Sequence, residues 1–246
     1  MIRIFSDLET LSQAAAKMFA DLAGQAITSQ GRFSVVLSGG HTPRRLYEIL
    51  ANPPYREQVH WEDVHIFWGD ERCVPTNDPR SNFLMAQQAL LNHVPIPENH
   101  IHPILGDLPV ALAATDYEAE LRDFFEGQPP IFDLILLGLG ENAHTASLFP
   151  HTSVLAERER WVSEVYVAEQ SMYRVTITAT LINQASEVIF LVSGSEKASA
   201  LHSVLEGAYH PHEFPAQLIR PNDAHPTWLV DKAAAHKLVE ETVEPA

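Results

Sequence analysis

The sequence predicts an α/β fold in which a mostly parallel sheet carries helices on both faces. Three observations support this. Four short apolar runs, rich in β-branched and aromatic residues, each end in a glycine-containing turn. Stretches with helical spacing lie between them, and a repeated order of strand, turn and helix builds parallel strands joined by crossovers. The runs are continuous rather than alternating, as expected of strands covered on both sides. No internal repeat, low-complexity tract or linker divides the 246 residues, so residues 1–246 are read as a single domain.

The elements follow in chain order. Leu8, Leu11, Ala15, Met18, Leu22 and Ala26 recur at three- and four-residue steps, which predicts an amphipathic helix over 8–28. Residues 33–37 read as a buried strand ending in Ser38-Gly39-Gly40. Thr42-Pro43 then marks a helix start, with Thr42 as N-cap and Pro43 at the first helical position, where a missing N–H does no harm. A second strand over 64–68 leads into Gly69-Asp70-Glu71-Arg72, and a helix is expected over 81–91. A third strand over 131–137 leads into Gly138-Leu139-Gly140, and a fourth over 188–192 into Ser193-Gly194-Ser195. Residues 161–167 and 173–178 alternate more than they run, so they are expected at an edge or in an antiparallel pair. Residues 92–109, rich in Pro, His and Asn, read as a long connection.

Charge narrows the function. The chain carries 16 Lys and Arg against 32 Asp and Glu, a formal net charge of −16. No basic stripe is available to follow a phosphate backbone, which argues against nucleic acid as a partner. No apolar run approaches the roughly 20 residues that span a bilayer, so no membrane association is expected. A lone Cys73, with nothing like a signal peptide at the start, predicts a reducing cytoplasm. The sequence assigns no oligomeric state. Any anion-binding site must be a local positive pocket within an acidic envelope.

In open α/β sheets ligands bind outside the carboxyl ends of the strands, so the four glycine turns are expected to converge on one cleft. Ser38-Gly39-Gly40-His41-Thr42-Pro43 can present backbone N–H groups, two hydroxyls and a helix dipole to one anion, or can serve only as a capped tight turn. No Gly-Lys-Ser/Thr follows, so it is not a P-loop. Gly138 to Ala143 fits a loose dinucleotide pattern, but Pro150 leaves little room for the helix that pattern needs. His144 stands just past a glycine turn, where an imidazole can serve as a general base. Asp70-Glu71-Arg72 offers two carboxylates and a planar cation, or a solvated surface run. Arg174 and Lys197 are candidates for the positive charge. Lys197 sits in the first turn after an expected cap at Ser195, where a cation opposes the helix dipole unless an anion binds there. His100/His102 and His210/His212 have spacings that could share a metal, but no third ligand completes a pattern, so neither metal nor cofactor is expected.

Several of these segments occur together in one family. Leu37 to Pro43, Gly69 to Pro75 with Ser81-Asn82, Leu137 to Gly140, His144 to Pro150, Arg174-Val175-Thr176, Gly194 to Ala198, Pro215-Ala216 and Trp228 to Asp231 appear in order over nearly the whole chain. The set resembles the bacterial-type 6-phosphogluconolactonases of the glucosamine-6-phosphate isomerase/6-phosphogluconolactonase family. The resemblance implies a Rossmann-like fold shared with glucosamine-6-phosphate deaminases. It also implies cofactor-free hydrolysis of 6-phospho-glucono-1,5-lactone to 6-phosphogluconate in the oxidative pentose phosphate pathway. Carried over residue by residue, it makes His144 the base, and it assigns Ser38, Gly39, Gly40, Thr42, Arg174 and Lys197 to the phosphate and Asn82 to substrate binding. Arg72 is the candidate oxyanion donor, with Asp70 and Glu71 orienting it or binding sugar hydroxyls.

Two positions depart from the family. Asn142-Ala143 stands where Asp-Gly usually precedes the histidine, and His41 stands where the family has Ser. A neutral Asn can orient an imidazole but cannot stabilise its charge. Two other readings compete. A deaminase is disfavoured because the segment after His144 lacks the expected Asn-Glu-Pro acid. A sugar-phosphate sensor that binds without turnover would be distinguished by ligand stabilisation with no reaction.

Overall fold

The computed structural model of the chain describes residues 1–221 and 225–239; the other positions of the expected 1–246 domain lie outside the described residues. The strands are β1 (Ile2–Phe5), β2 (Phe33–Leu37), β3 (Val64–Trp68), β4 (Asp70–Arg72), β5 (Ile101–His102), β6 (Leu134–Gly138), β7 (Val162–Val167), β8 (Met172–Ile177), β9 (Val188–Val192) and β10 (Thr227–Asp231). The helices are α1 (Leu8–Gln30), α2 (His41–Leu50), α3 (Tyr55–Gln58), α4 (Asn82–Ala89), α5 (Val110–Phe124), α6 (Ala179–Ile182), α7 (Ala198–Leu205) and α8 (Lys232–Ala235).

Seven strands form one parallel sheet in the order β1-β10-β9-β6-β2-β3-β5. Leu37 lies beside Trp68, Val36 beside Ile135, and Leu137 beside Phe190. Every residue of β2 and β9 is buried, which requires cover on both faces of the sheet and accounts for their unbroken apolar sequence. One continuous apolar cluster joins the sheet to α1, α2, α5 and α7. From β2 the chain moves outward through β3 to β5, then returns to β6 and proceeds the other way through β9 and β10. The order therefore reverses between β2 and β6, and a crevice opens at that point.

The four glycine-terminated strands sit side by side in this sheet as expected, with β6 beginning at Leu134 rather than at residue 131. Residues 162–167 and 172–177 form the expected antiparallel pair, joined by β4 in a separate sheet of order β4-β8-β7. Helix α1 extends to Gln30 and stops at Gly31, whose left-handed backbone (φ 79°) ends the helix.

The start of α2 corrects an expectation. The helix begins at His41 with Gly40 (φ 104°) as N-cap, so Thr42 lies inside the first turn and caps nothing. Residues 92–109 contain the two-residue strand β5 at the sheet edge, and α5 follows with no side-chain cap to announce it.

Two buried tyrosines fix the strand ends where the cleft begins. The Tyr47 hydroxyl accepts from Ser38 N–H (2.9 Å) and donates to Ser38 C=O (2.8 Å). Tyr117 from α5 treats Trp68 in the same way, at 2.9 and 3.0 Å. Each pins the backbone of a strand's last residues to a helix, and burial pushes both phenols well above their ordinary range.

Candidate active site

The glycine turns converge on a cavity of about 190 Å³. Of the residues expected from the sequence it is lined by Ser38, Gly39, Gly40, Asp70, Arg72, Asn82, His144, Arg174 and Lys197, together with Gly138, Leu139, Gly140, Thr145 and Ala146. Thr42 and Glu71 do not line it. Thr42 is carried away by the early start of α2. His41 is exposed and also outside the lining.

Backbone geometry builds the cradle from β2. Gly40 turns the chain, and α2 starts with no side chain over its first N–H groups, so the positive end of the helix is open to the cleft. Any side chain at Gly39 would displace Asn82, because a Cβ there would lie 1.9 Å from Asn82 Oδ1. Asn82 is itself held, its Nδ2 donating to Asp70 C=O at 2.8 Å and to Asp70 Oδ1 at 3.2 Å.

Strand β4 explains the different fates of Asp70, Glu71 and Arg72. Side chains alternate along a strand, so Asp70 and Arg72 face the cleft while Glu71 faces away. The Glu71 carboxylate accepts from the N–H groups of Arg72 (2.7 Å), Asn82 and Phe83 (2.8 Å each) and from Ser81 Oγ (2.9 Å). It is the anion at the start of α4, where it holds Asn82 in place, and not a group available to substrate. Burial pushes its pKa up against the pull of these hydrogen bonds.

Asp70 also differs from expectation. It orients Arg174 rather than Arg72: Oδ2 accepts from Arg174 Nη1 at 3.1 Å and from Ser147 Oγ at 2.6 Å. Arg174 Nη2 donates to Gln170, while Arg72 Nη1 donates to the Arg80 carbonyl. Arg72 and Arg174 are directly opposed across β4 and β8. Like charges in that relation repel. Asp70 neutralises one of them, and both arginines keep a buried Nε without a partner among the described residues. A pocket with two such donors and Lys197 is suited to an anion. Lys197 ends a short 3-10 turn that leads into α7, preceded by Gly194 (φ 104°), so Ser195 is not the cap expected from the sequence. The turn is tied down by Asp231, which accepts from Ser193 Oγ and Gly194 N–H.

His144 is held on several sides. Its Nδ1 lies 2.6 Å from Asn142 Oδ1, an atom that can only accept, so Nδ1 carries the proton and Nε2 is left with its lone pair. A Cβ at Gly140 would lie 2.0 Å from Nδ1, so only glycine lets the ring sit there. The Phe149 ring stacks on the imidazole with centroids 4.0 Å apart. Burial pushes the His144 pKa down to about 4; Asp70 pulls it up, and Arg174, Lys197 and Arg72 push it further down. The imidazole is therefore neutral and able to accept a proton at neutral pH. Ala143, where the family has Gly, adopts a left-handed backbone (φ 61°), which explains why glycine suits that position.

Outside the cleft, His65, His100 and His102 gather near the sheet edge with Glu120 on His102. Among the described residues no group of three His, Cys, Asp or Glu is arranged to hold a metal ion, and no helix is long and apolar enough to cross a membrane. Burial pushes the Cys73 thiol up, away from thiolate reactivity. Asn142 orients the imidazole through a hydrogen bond, as a neutral Asn before His144 can, whereas Ser147 beneath Asp70, Phe149 and the tyrosine pins were not legible as functional residues. Of these only the serine and phenylalanine lie in a segment that sequence spacing already ties to His144.

Residues 6–228 match the family described as Glucosamine-6-phosphate isomerases/6-phosphogluconolactonase. The chain is 43% identical over 222 residues to a 6-phosphogluconolactonase of Synechocystis, covering 87% of this chain and 88% of the relative. It is 39% identical to a 6-phosphogluconolactonase of Nostoc, over 96% and 98%. Among solved structures, a 6-phosphogluconolactonase from Trypanosoma brucei superposes with a TM-score of 0.85 at 29% identity, over 97% of this chain and 98% of the other. A monomeric glucosamine-6-phosphate deaminase shares the fold, with a TM-score of 0.81 at 23% identity over 96% and 99%. The sheet order, the converging glycine turns and the extent of these matches lead to one conclusion: the chain belongs to the glucosamine-6-phosphate isomerase/6-phosphogluconolactonase family.

Proposed function

We propose that this chain is a 6-phosphogluconolactonase whose single domain hydrolyses 6-phospho-glucono-1,5-lactone to 6-phosphogluconate, with His144 as general base. The observation that carries the reading is the anchored imidazole. Its Nδ1–H is committed to Asn142 and its Nε2 is free, in a cleft that also holds Arg72, Arg174 and Lys197. Nε2 takes a proton from water as that water's oxygen bonds to the lactone carbonyl carbon. Arg72 receives the charge that develops on the carbonyl oxygen. The imidazolium returns its proton to the ring oxygen as the carbon–oxygen bond breaks, releasing the open-chain acid. The open start of α2 with Ser38, Gly39 and Gly40, supplemented by Arg174 and Lys197, takes the phosphate.

Among the described lining residues Asp70 is the sole carboxylate, and it is bound to Arg174 and Ser147. That favours hydrolysis over deamination, which needs a free acid beside the base. A cytoplasmic setting accompanies this reading, supported by a single thiol in the chain.

The test is the hydrolysis rate of freshly made lactone with and without the protein, because the lactone also opens spontaneously. A large excess over background that collapses in His144→Ala is the expected result. No excess from folded protein that still binds 6-phosphogluconate would identify a sensor instead.

A further inference from the structure

Phe149 lies outside the lining of the cleft yet touches two side chains that act in it. Its ring stacks on the His144 imidazole, centroids 4.0 Å apart and planes inclined by 17°. The Arg174 guanidinium carbon is 5.4 Å from the centroid of the same ring. Phe149 is only 4% exposed. Its outer side borders a second, separate cavity of about 580 Å³ beside the β7–β8 hairpin, where Tyr166 and Tyr173 stand exposed. The phenyl ring is thus the wall between an open groove and one face of the imidazole.

We propose that Phe149 is a positioning residue for the reaction: it fixes the plane of the His144 ring and closes the groove side of that ring to water, while seating Arg174 on the same aromatic surface. The proposal rests on the reading of His144 as the base. A face-to-face aromatic contact restricts imidazole rotation about the bond that the Asn142 hydrogen bond alone would leave partly free. It also removes water from a group whose burial is the largest influence on its protonation. The charged groups around the imidazole come from other elements: Asp70 and Arg72 from β4, Arg174 from β8, and Lys197 from the turn before α7. Replacing Phe149 by another uncharged residue alters none of these charges, and the Asp70 ion pair still holds Arg174, so a change in the imidazole's titration reports water access and ring placement.

The experiment is NMR titration of the His144 imidazole in the full-length, ligand-free protein, its signal assigned by its loss in His144→Ala. Phe149→Leu is expected to move the midpoint up by about 1 to 2 pH units from about 4, toward the value of a solvated histidine. Phe149→Tyr, which keeps the ring, is expected to stay near the parent, and the acid limb of kcat/KM should follow each midpoint. If Phe149→Leu does not unfold cooperatively, Phe149→Met carries the same expectation with a more adaptable side chain. A midpoint unmoved in the folded aliphatic variant, or moved equally in Phe149→Tyr, would overturn the proposal. Full activity in His144→Ala would overturn the base assignment instead, and the titration would still decide whether Phe149 shields the ring.

Discussion

Replacing Asn142 by aspartate tests how the cleft sets the strength of its base. Asn142 Oδ1 is 2.6 Å from His144 Nδ1, and a carboxylate in the same place would face an imidazolium with charge centres about 4 Å apart. At an effective dielectric near 20 that attraction is about 4 kcal/mol, and at ~1.4 kcal/mol per unit it would raise the pKa by ~3. The carboxylate must itself be taken partly out of water, which reduces the net rise to about 2 units. His144 would then titrate near 6 instead of about 4. A stronger base transfers protons faster when it is unprotonated, so N142D should be several-fold faster than the parent above about pH 7. Below about pH 5 it should be slower, because most of its imidazole is already protonated. The two pH–rate profiles of kcat/KM, measured between about pH 4 and 8 with spontaneous opening subtracted, must therefore cross. Parallel profiles, or an acid limb that stays in place in N142D, would refute the assignment of His144 as the base tuned through Asn142.

The remaining predictions concern geometry, binding and stability. Gly140→Ala places a methyl group 2.0 Å from the Nδ1 position, and displacing the ring should lower kcat by about 100-fold with little change in melting temperature. Lys197→Ala should raise KM about tenfold and leave kcat within about twofold, since it removes a charge from the phosphate end; a fall in kcat at constant KM would remove Lys197 from that role. Glu71→Gln should destabilise the fold by about 1 to 2 kcal/mol in denaturant titration, because four donors lose an anionic acceptor. Stability should also fall with acid. His144 is held near 4 when folded and rises to about 6.5 when unfolded, so the unfolded chain takes up a proton first as pH drops. The loss develops between about pH 6.5 and 4 and amounts to about 3 kcal/mol, and His144→Ala should flatten that part of the stability curve.

Much of the fold was legible because its signals are local. Continuous apolar runs marked β2, β3, β6 and β9, and alternation set β7 and β8 apart as edge or antiparallel strands, of which the structure shows the antiparallel pair. Strands β1 and β10 escaped, and three further elements lack such signals altogether. Strand β4 is three charged residues held by pairing with β8, and β5 is two residues held by β3. Helix α5 follows Pro109 with no capping side chain. Thr42 and Ser195 looked like caps by residue type, but in each case a glycine with positive φ takes the turn and shifts where the helical backbone begins.

The candidate site divides along the same line. Which chemical groups gather is readable along the chain: the glycine turns at the ends of buried strands, His144 after one of them, and arginines and a lysine in an otherwise acidic chain. Those are properties of residue type and spacing, and strand ends in a parallel sheet must open on the same side. What each group does depends on which distant elements pack beside it. Asp70 serves Arg174 because β8 lies beside β4, and Glu71 caps α4 because strand alternation turns it from the cleft. His144 is left with a free Nε2 because Asn142 takes its Nδ1–H, and with a low pKa because burial strips water from the ring and Arg174, Lys197 and Arg72 lie near it; no local pattern encodes the dielectric that a folded chain builds around one ring.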